Sequence, residues 1–199
     1  METIELFIDE ENIKDGVEAI SLVESPAIEE NFVALNKHKV EFKTINEEKR
    51  IVIGLALVPD KEIYRRQGDH EFNIVFSKET VKKASELYLK RLKNNNATLE
   101  HQEEEIKGVS VIESWIVDDV KMDKSKLYGL NAVEGAWVVT MKIDNEEVWQ
   151  DVKGGKYLGF SIEGFFSDQL DKKEMSEEDI LAEKMFEEIQ RIIEKYENE

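Results

Sequence analysis

Apolar and polar positions along this chain fall mostly into short alternating or continuous runs, the signature of strands, and into a helical period in only a few places. Thr3 to Ile8 alternates weakly and predicts an edge strand. Gly16 to Val23 predicts a better one, stopped at Ser25-Pro26 because proline has no N–H to give a ladder. Asn31 to Leu35 predicts a short strand, and the polar Glu41 to Lys49 a turn or hairpin. The run Arg50 to Val58, ended by Pro59-Asp60, is almost wholly apolar and predicts a strand buried on both faces or curling round a small barrel. Tyr64 to Asp69 reads as a loop and Glu71 to Phe76 as a strand. Ser77 predicts the N-cap of a helix to about Lys93, with Val81, Ala84, Leu87 or Tyr88, and Leu92 as its stripe. Strands follow over Val109 to Val117 and Gly135 to Ile143, then a short helix over Glu147 to Val152.

That helix leads into Gly154-Gly155-Lys156-Tyr157-Leu158-Gly159-Phe160-Ser161-Ile162-Glu163-Gly164-Phe165-Phe166, around which the rest is organised. As a strand it sets Leu158, Phe160 and Ile162 on one face and Gly159, Ser161 and Glu163 on the other. Glycines at 159 and 164 thin the wall around one hydroxyl, as suits close approach of a ligand or another backbone. Two readings fit: a serine nucleophile that meets an extended peptide, or a strand that leaves room for a neighbouring side chain. After Phe166 the pattern changes. Ser176-Glu177-Glu178-Asp179 predicts the start of a charged helix with a narrow stripe of Leu181, Met185, Ile189, Ile192, Ile193 and Tyr196. The expected organisation is a β-rich domain over residues 1–166 and an acidic linker with a helical tail over 167–199.

Composition narrows the function classes. Apolar residues make up 41% of 199, enough for a sizeable core. A net charge of −18 argues against nucleic acid as the partner, since no basic surplus exists to displace counterions. No cysteine is present, which excludes disulfides, thiol nucleophiles and thiolate metal sites. No apolar run reaches the length of a membrane span and no signal sequence is visible, so a soluble protein without a membrane role is expected.

Candidate chemistry is sparse. His38 and His70 lie in polar surroundings, whereas His101 follows Thr98-Leu99-Glu100 and is the best base for Ser161. The run Glu100 to Glu105 offers a carboxylate site for Mg²⁺ or Ca²⁺ as a competing reading. It lacks zinc-protease spacing and a calcium-loop pattern, so neither metal nor cofactor is expected. Arg65-Arg66 could meet a carboxylate or be surface residues.

Four segments read together carry a resemblance: Ala19 to Glu29; Ala56 to Lys61 with Ile63-Tyr64-Arg65; Glu113-Ser114-Trp115-Ile116-Val117; and Gly159 to Phe166. The set resembles the XkdF-like serine proteases of tailed phages and phage-derived elements, relatives of the prohead, or capsid maturation, proteases. It covers about residues 15–166. The resemblance implies a mainly β (α+β) fold like that of herpesvirus assemblin proteases, a closed and mostly antiparallel β-barrel surrounded by helices. Ser161 matches the nucleophile and His101 the base. It further implies a homodimer or higher oligomer that cuts phage scaffold and major capsid proteins inside the prohead, in the host cytoplasm. In many prohead proteases a segment like Ile20 to Val23 follows the nucleophile strand and carries a carboxylate near its start. Here it precedes that strand, as in a circular permutation, and Ala19 stands where the carboxylate is expected. Glu18 is the expected orienter of His101, with Glu24 and Glu163 as alternatives. A non-catalytic capsid assembly or scaffold-associated protein that keeps this fold is the second reading.

Overall fold

Residues 2–9, 11–24, 33–34, 49–67, 70–102 and 104–168 are described in the structure, a computed structural model. In chain order the elements are β1 (Glu2–Phe7), β2 (Gly16–Val23), β3 (Val33–Ala34), β4 (Ile51–Leu57), β5 (Ile63–Gln67), β6 (His70–Phe76), α1 (Lys78–Lys90), β7 (Ala97–Leu99), β8 (Val109–Ile116), β9 (Trp137–Ile143), α2 (Glu146–Gly154) and β10 (Gly159–Phe165). The mainly-β class expected from the strand pattern holds. The helical tail over Ser176 to Tyr196, the turn over 41–48 and His38 lie outside the described residues.

The apolar run at 51–57 is buried on both faces, with β10 packed against it, and β4 lies between β3 and β9 in the order β3-β4-β9-β8, all antiparallel. A second sheet has the order β10-β2-β7. The two-residue strand Ser167–Asp168, β11, comes just after β10 and gives a third sheet the order β11-β1-β6-β5. Among the described residues, hydrogen bonding divides the strands among three sheets rather than one ring, and β10 lies against β4 without a ladder between them. Two pairs, β1 with β6 and β2 with β7, run parallel, as strands joined by long crossovers can. The contacts gather Met1–Ser167 into one unit.

Two short segments depart from the expectation. Tyr64 to Gln67, part of the Tyr64 to Asp69 stretch read as a loop, belongs to the strand Ile63–Gln67, paired antiparallel to β6. Its Tyr64, Arg65 and Arg66 are exposed, and a polar edge strand has no apolar alternation to betray it. Ala97–Leu99 is a strand only through its parallel pairing with Ile20 to Leu22, a partner far away in sequence.

The helices follow their caps. Ser77 Oγ accepts from Thr80 N at 3.3 Å to open α1, whose Val81, Ala84 and Tyr88 are fully buried. Tyr88 meets Trp137 edge-to-face at 5.4 Å between ring centroids. Asn145 caps α2 through Val148 N at 3.1 Å, and Gly155 ends it at φ 77°, a left-handed position suited to glycine. Leu158 N then donates to Val23 O at 2.9 Å, which delivers the chain into β10 alongside β2.

β2 and β10 are the best-tied pair. Seven residue pairs run from Gly159↔Val23 to Phe165↔Gly16, with a bulge between Glu163 and Gly164. At their joined ends sits Asp15, 1% exposed. Its carboxylate accepts from Asp9 N at 2.8 Å, Asn12 Nδ2 at 2.8 Å, Ser167 N at 3.1 Å and Ser167 Oγ at 2.8 Å. A buried carboxylate is tolerated when donors surround it, and these clamp the entry of β2 to the exit of β10.

Candidate active site

Register across the second sheet aligns three hydroxyls. Ser161 on β10 is opposite Ser21 on β2, and Ser21 is opposite Thr98 on β7. Directly paired residues share a face, so the hydroxyls form one row, and none is more than 8% exposed. Glu163 lies two positions beyond Ser161 on the same face, opposite Ala19. The other face carries Phe160, Ile20 and Leu22 into the core.

The chain leaves β7 at Leu99 and turns over this face. Glu100 and His101 have φ of 48° and 57°, and Gln102 N donates to Leu99 O at 2.9 Å. Two successive positive-φ residues closed by that bond make a turn of type I′ character, which Asn and Gly favour. A side chain in this region costs on the order of 1–2 kcal/mol per residue, so the turn must be held. Three bonds hold it. Glu100 N donates to Leu22 O at 3.1 Å, Glu24 N to Glu100 Oε1 at 2.5 Å, and His101 N to Ser21 Oγ at 3.1 Å.

The imidazole projected by this turn has its Nδ1 3.4 Å from Glu163 Oε1. The same Oε1 accepts a hydrogen bond from Thr98 Oγ1. The His101 side chain is 47% exposed and that of Glu163 26%, so the pair sits at the protein surface with the glutamate mostly covered. Among the described residues, no hydrogen bond joins Ser161 Oγ to His101. Catalytic hydrogen bonds often tighten only when substrate binds.

Glu18 is elsewhere. It is the extra residue of the β2–β10 bulge, left unpaired between Ala19 and Val17, and its carboxylate pairs with Lys93. Glu24 serves the turn through its backbone N–H. Of the three carboxylates weighed as partners for His101, the structure brings Glu163 to the imidazole and gives Glu18 a different partner. The cause is the bulge: Glu18 is its unpaired residue, outside the regular alternation of β2, and Lys93, in the turn after α1, takes its carboxylate. His70 is a surface residue of β6, stacked on Phe72 at 5.4 Å and 3.5 Å from Glu2.

Beside β10, the edge strand of its sheet, lies a cavity of about 340 Å³. Ser161 lines it with Phe160, Ile162, Ile63, Ile74 and Phe76, and so does the cationic Arg65. Partial desolvation there lowers the pKa of the Arg65 guanidinium, which stays charged. The motif Glu113-Ser114-Trp115 is structural: Thr140 Oγ1 donates to Glu113 at 2.8 Å, Trp137 Nε1 to Ser114 Oγ at 2.8 Å, and Trp115 Nε1 to Asp123 Oδ2 at 3.0 Å. The Lys124 ion pair, with the Thr140 hydrogen bond, holds the Glu113 carboxyl below its usual range.

A family model described as "Putative phage serine protease XkdF" matches residues 39–170. The chain belongs to this family. No curated protein and no solved structure matches it. The XkdF family is one of phage serine proteases, a hydrolase class, and the matched span contains Ser161, His101, Glu163 and Thr98. It begins after β2, so Ser21 is outside it, although β2 is the strand that joins β10 to β7.

Sequence reasoning missed Ser21 and Thr98, because their place beside Ser161 depends on cross-strand register. Ser21 is testable without an activity. Ser21→Ala removes the acceptor for the His101 amide, a bond worth about 1 kcal/mol. Hydrogen exchange at that amide, followed by NMR, should quicken roughly fivefold while β2 amides keep their protection. Unchanged exchange would mean the turn is held without Ser21.

Proposed function

We propose that this protein is a serine endopeptidase of phage head maturation, with Ser161 as nucleophile, His101 as general base and Glu163 as the carboxylate that orients the base. The observation that carries this is the His101–Glu163 pair, set by the Leu99–Gln102 turn over the face of β10 that holds Ser161. Glu163 facing Nδ1 selects the tautomer with the proton on Nδ1 and leaves Nε2 as the acceptor. Nε2 takes the Ser161 proton as Oγ attacks the scissile carbonyl, then gives it to the leaving amine as the acyl-enzyme forms. Water enters by the same base and releases the acid product. Thr98, bonded to the Glu163 oxygen that faces His101, fixes that carboxylate in place.

Scaffold and capsid proteins inside the prohead are the substrates in this reading, in the host cytoplasm, with the enzyme as a homodimer or larger homo-oligomer. Three sheets about one core, with β10 against β4, support an assemblin-like barrel. Incubating the purified protein with its cognate scaffold protein tests the reading. Cleavage should fall at least roughly 10³-fold in Ser161→Ala and by a similar factor in His101→Ala, because members of one catalytic unit are not additive. A wild-type protein that binds scaffold and leaves it whole would instead be a non-catalytic assembly protein on the same fold.

A further inference from the structure

Arg65 stands out by its place. Acidic residues outnumber basic ones 45 to 27, and many cations, such as Arg50 with Glu146 and Lys124 with Glu113, have carboxylate partners, yet the cation that lines the Ser161 cavity has none among the described residues. The Arg65 Nη1 donates at 3.0 Å only to the carbonyl of its neighbour Tyr64, and among the described residues no carboxylate pairs with it. Its cross-strand neighbour on β6 is Phe72, and Ile63 shares its face on β5. A cation therefore stands in an apolar row at the cavity that Ser161 also lines, on a chain with carboxylates to spare.

We infer that this cavity is the substrate groove for an extended peptide lying along the outer side of β10, which seats an apolar side chain among Ile63, Ile74 and Phe76 and places an acidic side chain on Arg65. The inference rests on the protease reading above and names its substrate class. An edge strand is the usual platform for an extended peptide, with pockets beside it for alternate side chains. The cavity supplies the apolar pocket. The guanidinium, always charged and shaped for two-pronged bonding, supplies recognition of a carboxylate. The general negative charge of the chain repels acidic peptides elsewhere, so this one cation fixes where the acidic side chain lies.

The test separates binding from cleavage. A library of fluorescent acetyl-hexapeptide amides, with Glu, Gln or Lys placed at each position in turn, is titrated by anisotropy against Ser161→Ala protein. One position should favour Glu over Gln by about tenfold. Arg65→Gln should erase that preference, and Arg65→Glu should replace it with a preference for Lys. Wild-type cleavage of the same peptides should select the same position. Binding without charge preference, or a preference that survives Arg65→Gln, would overturn the inference. So would self-association of the wild type lost in Arg65→Glu with no peptide bound, which would make the face an interface between copies. Scaffold cleavage by wild type with no Arg65-dependent binding would overturn the groove and leave the protease. Arg65-dependent binding with no cleavage of any peptide or scaffold would keep the groove and remove the protease.

Discussion

Glu163→Gln is expected to slow scaffold cleavage roughly 10²–10⁴-fold, while Glu18→Gln leaves it within about twofold. The contrast follows from where each carboxylate sits. Glu163 Oε1 faces His101 Nδ1 at 3.4 Å and accepts from Thr98, whereas Glu18, at the β2 bulge, pairs with Lys93. An amide at 163 keeps the size of the side chain and removes the charge that stabilises the imidazolium as it forms. The loss should fall on kcat with little change in KM, because the carboxylate acts on the base rather than on bound peptide. Glu18→Gln loses an ion pair that is partly exposed, worth under about 1 kcal/mol of stability. Steady-state cleavage by both variants, beside their melting curves, decides the assignment. Equal losses in the two, or a loss in Glu18→Gln alone, would return the orienting role to β2.

Gly164→Ala should be among the most damaging single-methyl changes in the protein, with a stability loss of about 3 kcal/mol or more. A Cβ there would lie 2.1 Å from Gly16 O and 2.9 Å from Val17 Cα. Both obstacles are backbone of β2, so no side chain can swing away. Relief requires β2 and β10 to part at the bulge, next to the Asp15 clamp and one residue from Glu163. The melting temperature should fall by roughly 6–12 °C. Gly154→Ala is the control: nothing lies within 4 Å of its added carbon, and alanine at the end of α2 should be neutral or slightly stabilising. Thermal denaturation of the two variants checks the pair of outcomes. A mild effect at 164 would mean the close approach is not rigid.

Where the resemblance expects a carboxylate, the chain has Ala19, and the register sets Ala19 directly opposite Glu163. The acidic group on this face therefore comes from the neighbouring strand, two residues beyond Ser161. The clue was present in strand period, which already puts Ser161 and Glu163 on one face. A base arriving from another segment is what no periodicity reveals.

By itself the sequence determined the elements whose signals are local: the doubly buried run of β4, the strands β2, β6, β8, β9 and β10, the Ser77 cap of α1 and the short α2. It also determined the family, through motifs that survive as strings, and the candidates Ser161, His101 and Glu163. Only the tertiary structure decided which of these groups meet. The β10-β2-β7 order aligns Ser161, Ser21 and Thr98 across three strands, the left-handed turn at Glu100 and His101 aims the imidazole at Glu163, and Lys93 takes Glu18. β5 and β7 escaped local reading for the same reason. A short polar strand is defined by the partner that receives its backbone hydrogen bonds, and the sequence does not write that partner beside it.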